Sequence, residues 1–154
     1  MKSHMESIVR SECGSSLIEM AFIMPLLLLI LFGVVDFGRA YYLAIEVAGA
    51  SRAGVVYGSQ YPTDTVGITN ATTLNAPDVS GISGTPSWGC ECSDGSNPVP
   101  SCSTTPSCST NIVYYVTVTA SAPYRPLFPW PGIPASIPLS NSATMRSGSA
   151  NTPF

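Results

Sequence analysis

Residues 20–35 read MAFIMPLLLLILFGVV, a run with no charged side chain, and this run decides the architecture. Extended back over Leu17, it approaches the roughly 17 to 25 apolar residues that a helix needs to cross a bilayer. A secretory signal has a shorter apolar core, about 7 to 15 residues, and ends at a small-x-small cleavage site. Ala48-Gly49-Ala50 has that form, but Asp36, Arg39 and Glu46 separate it from the run. Retention as a transmembrane helix over about residues 17–36 is therefore the expected state.

Helical patterning continues beyond Val35. Phe37, Tyr41, Ile45, Ala48 and Val55 recur at spacings of three, four or seven, which places them on one apolar stripe. The spacing predicts one helix over residues 15–57, roughly 65 Å long at about 1.5 Å per residue. Its first half would lie in lipid, and its second half would lay the stripe on a small domain. Pro25 removes the hydrogen bond to the Ala21 carbonyl, so a bend is expected there. Asp36 and Arg39 can pair across one turn, or Arg39 can extend to the lipid headgroups. Tyr41 and Tyr42 suit an interfacial aromatic belt.

The rest of the composition narrows the function. A chain of 154 residues leaves room for one small domain beside the helix. Charged residues make up 10 % of it, against about 25 % in an ordinary soluble domain. Mean hydropathy is +0.27, net charge −3 and pI ≈ 4.8. No Lys/Arg cluster exists to neutralise phosphates, so no nucleic-acid partner is expected. The one histidine is His4, and a Ser/His/Asp or Cys/His arrangement cannot be built elsewhere. Asp64, Asp78, Glu91 and Asp94 are scattered, and Gly81-Ile82-Ser83-Gly84 does not fit a nucleophile elbow. With no phosphate-binding loop either, no enzyme, cofactor or metal site is expected. Asn70-Ala71-Thr72 fits a glycosylation sequon, a motif frequent by chance.

Residues 59–109 are rich in Gly, Pro, Ser, Thr and Asn and carry Cys90, Cys92, Cys102 and Cys108. Four clustered cysteines in an oxidising compartment imply two disulfides. Neighbouring Cys90 and Cys92 would each bridge to Cys102 or Cys108, and the spacing leaves the connectivity open. The C-x-C-x9-C-x5-C spacing lacks the C-x2-C knuckles of zinc ribbons. Bridges suit a segment with few large apolar residues, which buries little surface against its ordering entropy. Trp88 is expected to cover the bridge beside it. Cys13 stands apart, ahead of the membrane run.

Residues 112–122 form the clearest strand, with Ile112, Tyr114, Val116, Val118 and Ala120 on one face. Val113, Tyr115, Thr117 and Thr119 fall on the other, and Pro123 and Pro126 should end it. The proline-rich stretch 124–138 carries Leu127, Phe128, Trp130 and Ile133. It reads as a loop covering the sheet or helix, with an exposed surface for a subunit or membrane as the alternative. Residues 139–145 are expected to pair with the first strand, and 147–154 to form a tail. The fold class is α+β: a long N-terminal transmembrane helix on a small antiparallel sheet, with a disulfide-stabilised loop region. The divisions are a leader (1–14), the helix (15–58), a polar Cys-containing loop region (59–111), and a small sheet with a tail (112–154).

Glu19 needs a separate explanation, because a carboxylate deep in a bilayer costs about 2.5–3.5 kcal/mol, less near the interface. It follows Gly14 by five positions in Gly14-Ser15-Ser16-Leu17-Ile18-Glu19-Met20, and the apolar run follows directly. This arrangement resembles the type IV prepilin processing pattern. The resemblance implies a prepilin peptidase cutting between Gly14 and Ser15, and Glu19 pairing with the free amine of Ser15 between neighbouring subunits. Two groups that are each costly in lipid offset one another when paired. Residues 28–39, LLILFGVVDFGR, followed by Tyr41-Tyr42, resemble the signature of the TadE-like family. These are pseudopilin-like components of the tight-adherence (Tad) pilus and secretion system. Residues 116–124 and Ala143-Thr144-Met145-Arg146 more loosely resemble how such proteins close.

The resemblance implies a minor pilin or pseudopilin, a structural or assembly subunit held in the bacterial inner membrane by one helix. The C-terminal domain would lie outside the cytoplasm, and the partners would be prepilin peptidase, other pilin-like subunits and Tad machinery. An uncleaved single-pass surface protein with an adhesion domain is the alternative. The leader departs from the usual basic pattern, since Lys2 and Arg10 are balanced by Glu6 and Glu12.

Overall fold

A computed structural model of the chain describes residues 13–129 and 131–149. The leader residues 1–12, Trp130 and residues 150–154, with the expectations placed on them, lie outside the described residues. Helix α1 (Cys13–Gln60) contains Pro25 and carries the whole apolar run. It is followed by α2 (Thr65–Leu74), β1 (Ser83–Cys92), β2 (Val99–Pro100), β3 (Ile112–Tyr124) and β4 (Ile137–Ser149). The chain divides into two compact units, residues 1–37 and 38–154. In the first, side chains from Leu17 to Val35 are largely exposed, Phe22 at 80 %. One helix of the described chain is long and apolar enough to cross a membrane.

The second unit is an α+β layer. Its sheet has the order β2-β1-β3-β4, and all pairs are antiparallel. Val116, Val118, Ala120, Ala122 and Tyr124 of β3 are buried in alternation, as expected of a strand whose one face meets a helix. Two apolar clusters fill the space beneath. One joins Val47 and Ala50 of α1 to Ala76, Val79, Ala120 and Ala122. The other joins Val55 to Ile68 of α2 and to Val116 and Val118, with Tyr57, Trp88 and Ala143 against it.

The face that α1 buries overlaps the expected stripe only at its C-terminal end, where Val55 is buried and Ala48 half-buried. Phe37, Tyr41 and Ile45 are exposed, at 78 %, 72 % and 52 %. The covered positions are Val47, Ala50, Ser51, Gly54, Val55 and Gly58. Most of these are small, and small side chains let a helix backbone approach a sheet closely, so size rather than hydropathy selects the face. The close approach is real at Gly54, where a Cβ would fall on Thr72 Oγ1 and lie 3.0 Å from Val118 Cγ1. Thr72 is also met from the sheet side, because a Cβ on Gly84 would lie 2.8 Å from its Cβ. Two glycines thus make the slot that one α2 threonine fills.

Residues 59–111, read from sequence as loop, contain α2, β1 and β2. Hydrophobic alternation in β1 is masked because its buried face carries Gly84, Pro86, Trp88, Cys90 and Cys92. Trp88 packs against the Val116–Val118 cluster rather than only covering a bridge. Pro123 does not end β3, which runs on to Tyr124 with Pro123 opposite Pro138. The backbone alternation explains this. The Ser101 amide donates to the Trp88 carbonyl, so even-numbered β1 residues turn their backbone groups toward β2. Carried across the registers, this leaves Pro86, Pro123 and Pro138 at positions whose nitrogens no neighbouring strand requires. Residues 147–149, expected in the tail, belong to β4.

The outer sheet face has an unusual regularity. Ser83, Ser121 and Ser140 lie side by side across β1, β3 and β4, then Thr85, Thr119 and Ser142, then Ser87, Thr117 and Thr144. Every position in this patch is a hydroxyl. The hydroxyls bridge neighbouring strands, Ser83 with Ser121 at 3.0 Å, Thr117 with Thr144 at 2.8 Å, and Thr119 donating to Ser142 at 3.3 Å.

Candidate functional site

The residues singled out in the sequence fall into two separate places. Gly14 and Ser15 lie in the first turn of α1, and Glu19 follows on the same helix. Ser15 and Glu19 are four residues apart on this helix, about 6 Å along its axis. Glu19 is exposed, as are the apolar residues that follow it.

The four outer cysteines form the second place. Cys90 is bonded to Cys102 and Cys92 to Cys108, with Cα separations of 5.1 and 5.5 Å, inside the usual range for a disulfide. The expected pairing of each β1 cysteine with a distal one is what the structure holds, and it fills in the connectivity that spacing left open. The connection between β1 and β3 is tied further by backbone and side-chain bonds. Asn97 Nδ2 donates to the Ser107 carbonyl at 2.7 Å, and the Cys92 amide donates to the Ser96 carbonyl at 2.9 Å. Asp94 closes the turn by accepting from the Ser96 amide at 3.0 Å and the Ser96 hydroxyl at 2.7 Å. These bonds favour the carboxylate and hold Asp94 below the usual aspartate range, the Ser96 amide contributing most. At the same end of the sheet, Arg146 Nε of β4 reaches across β3 and donates to Glu91 of β1 at 2.6 Å.

Other polar residues that sequence reading passed over fix the helices. Asp64 caps α2, accepting from the Gly67 amide at 2.9 Å and from the Tyr57 hydroxyl at 2.8 Å. Its only sequence signal is an aspartate just before a helical segment, a common N-cap residue. Tyr42 donates to Asp78 at 2.7 Å, so this belt tyrosine ties α1 to the segment after α2. Arg39 Cζ lies 6.0 Å from the centre of the Tyr124 ring, near the outer limit for a cation–π contact.

The Gly67 amide, and after it the Tyr57 hydroxyl, lower the pKa of Asp64. Its contribution to stability is therefore complete above the unfolded value of about 3.9 and is lost as pH falls through the lower folded value. Asp64→Asn keeps a capping oxygen but cannot titrate. The melting temperature of Asp64→Asn should lie below that of the parent at pH 5 and converge on it as the pH falls through the lowered folded value. A constant difference across that range would show that the Asp64 charge is not linked to folding.

Among the described residues, one helix is long and apolar enough to cross a bilayer, and residues 38–154 form a disulfide-bonded α+β unit, features that suggest membrane anchoring. Residues 14–55 match the family model described as TadE-like protein. The match shows what the N-terminal segment is similar to; it takes in Gly14, Ser15 and Glu19 and stops inside α1. No curated protein and no solved structure matches the chain. TadE-like proteins are a pilus-related structural family, and the match suggests a Tad pilus-associated protein with an N-terminal membrane-spanning helix.

Proposed function

We propose that this chain is a structural or assembly subunit, a minor pilin or pseudopilin of a Tad-type system, and not an enzyme. The observation that carries the reading is Glu19 at the head of an exposed apolar helix, within the TadE-like segment. In this reading prepilin peptidase cuts between Gly14 and Ser15. The new amine of Ser15 then pairs with Glu19 of a neighbouring subunit, each offsetting the other's cost in lipid. The helix resides in the inner membrane, and residues after about 38 lie outside the cytoplasm. The two disulfides favour that orientation, since they persist in an oxidising compartment. Other pilin-like subunits and the Tad assembly machinery are the partners.

Glu19→Ala tests the role directly. The variant should insert in the membrane at parental levels, because removing a charge only eases insertion, while pilus assembly falls sharply. Unimpaired assembly would remove Glu19 from the mechanism. N-terminal sequencing of membrane-extracted protein should begin at Ser15, and a start at Met1 in cells with working prepilin peptidase would refute processing. In that event the second reading gains, a permanently anchored surface protein whose disulfide-bonded domain binds an adhesion target.

A further inference from the structure

Strand β4 forms one border of the sheet, since the order β2-β1-β3-β4 places no strand beyond it among the described residues. The alternation that turns the Trp88 carbonyl toward β2 carries through the registers to this border. Odd-numbered residues of β4 turn their backbone groups to β3, and even-numbered ones turn theirs outward. The amides and carbonyls of Ser140, Ser142, Thr144 and Arg146 therefore line the border, with the carbonyl of Pro138. The two borders of the sheet are built differently. On the far side β2 has only Val99 and Pro100, and Pro86 of β1 offers no amide, so that border is blunted. Strand β4 runs for 13 residues, about twice the usual length. Its guards stand at the ends. Pro138 lacks an amide at one, and a register shift between Val113 and Tyr114 marks an irregularity at the other. The one charged residue of the strand, Arg146, is bonded to Glu91 and leaves no lone charge to repel a neighbouring strand. Residues 139–146 remain as an open window about as long as an ordinary strand.

We infer that this window binds an extended segment of another protein, which joins the four-stranded sheet as a further strand beside β4. The edge itself defines the chemistry of that segment. Its backbone meets the outward amides and carbonyls at alternate residues, antiparallel to β4 for the better hydrogen-bond geometry. Its side chains continue the two faces of β4. On one face they lie beside Leu139, Ala143 and Met145, and Met145 is 38 % exposed, so apolar residues suit that side. On the other they lie beside Ser140, Ser142 and Thr144, so neutral polar residues suit it. A segment that alternates apolar and uncharged polar residues satisfies both faces. A second copy of β4 fits less well. Paired antiparallel about Ser142, it would set Pro138 of each copy opposite Arg146 of the other, and the proline nitrogen leaves that carbonyl without a donor.

The inference needs neither Glu19 nor a membrane crossing, so its failure would leave the proposed function untouched. Amide hydrogen exchange of the full chain, disulfide-bonded and in detergent micelles, tests it. The probe is a short peptide of alternating threonine and valine, capped at both termini and flanked by lysines for solubility. Before it is added, the amides of Ser142 and Thr144 should exchange at least about a hundredfold faster than those of Ala143 and Met145, which bond to β3. Peptide at millimolar concentration should slow Ser142 and Thr144 by about tenfold or more. Ser142→Pro removes an amide that β3 does not use, so Ala143 and Met145 should stay protected while the slowing at Thr144 is lost. Thr144→Pro, read at Ser142, repeats the test at the next outward position should the first variant disturb the strand. Absence of slowing in the parent chain would overturn the inference, as would undiminished slowing in both proline variants. Protection of Ser142 and Thr144 that exists without peptide and fades on dilution would also overturn it, and would assign the edge to a second copy of this chain.

Discussion

Replacing Cys92 and Cys108 together by alanine should lower the melting temperature of the oxidised chain by roughly 10–20 °C, a loss of about 3 kcal/mol. The bridge spans a sequence separation of 16, and closing a loop of that size removes about 3 kcal/mol of unfolded-state entropy on the chain-entropy account. The loss falls on the part of the segment beyond the other bridge. Within residues 93–111 the remaining ties are the Cys90–Cys102 disulfide, the short β2 pairing and single hydrogen bonds such as Asn97 to Ser107 and Ser96 to Asp94, each hydrogen bond contributing on the order of 1 kcal/mol. Ser101 and Cys102 lie at φ 52° and 47°, a region that costs non-glycine residues about 1–2 kcal/mol each. Removing the Cys92 sulfur also leaves a gap where the side chain is 1 % exposed. Near-ultraviolet circular dichroism of the detergent-solubilised protein reads the transition. An unchanged midpoint would mean that the bridge constrains nothing the fold does not already hold.

Gly54→Val should cost about 3 kcal/mol, at the upper end of what overpacking a core exacts. Intrinsic propensity argues the other way, since glycine inside a helix is about 1 kcal/mol worse than alanine. The clash decides the sign. A side chain at 54 meets the Thr72 hydroxyl and Val118 Cγ1, and Thr72 has little room to retreat because it packs so closely on β1 that even a Cβ added at Gly84 would lie 2.8 Å from its own. The Thr72 hydroxyl is itself held, donating to the Ile68 carbonyl at 2.8 Å. Trimming the opposing residue should therefore relieve the strain. In a Thr72→Ala background the Gly54→Ala substitution should cost at least about 1 kcal/mol less than in the parent. Denaturant unfolding of the four proteins of that cycle measures it, and additive effects would show that the slot is not a rigid three-element junction.

The parts of this fold legible in the sequence are those with a strong period or a long run. The uncharged segment fixed α1, and strict alternation from Ile112 onward fixed β3, because both patterns come from burial alone. The partner strand β4 followed from β3 needing a neighbour, although its own run of Ser, Asn and Thr carries no hydrophobic signal. What stayed hidden had its buried positions filled by residues that signal something else. On β1 these are Gly84, Pro86 and two cysteines; on the inner face of α1 they are Ala50, Ser51, Gly54 and Gly58. In both places the fold selects for close backbone approach, and hydropathy patterns do not register size. Helix α2 has two buried positions, Ile68 and Thr72, too few to announce a stripe. As for the candidate site, Gly14 and Glu19 could be singled out because their spacing from the apolar run is linear in sequence. The Asp64, Tyr42 and Arg39 contacts depend on tertiary placement and had no linear counterpart.

The hydroxyl patch on the outer sheet face bears on how the domain meets a changing environment. Ser83, Thr85, Ser87, Thr117, Thr119, Ser121, Ser140, Ser142 and Thr144 carry no charge and do not titrate across any ordinary pH. Their hydration does not depend on counterions, so added salt has no Debye-screened attraction or repulsion to act on there. Whatever approaches this face meets uncharged hydroxyls at any ionic strength and any ordinary pH. The domain's sensitivity to its surroundings is thereby confined to its ends and helices, where Asp64, Asp94, Arg39 and Arg146 lie, and the broad side of the sheet stays chemically quiet.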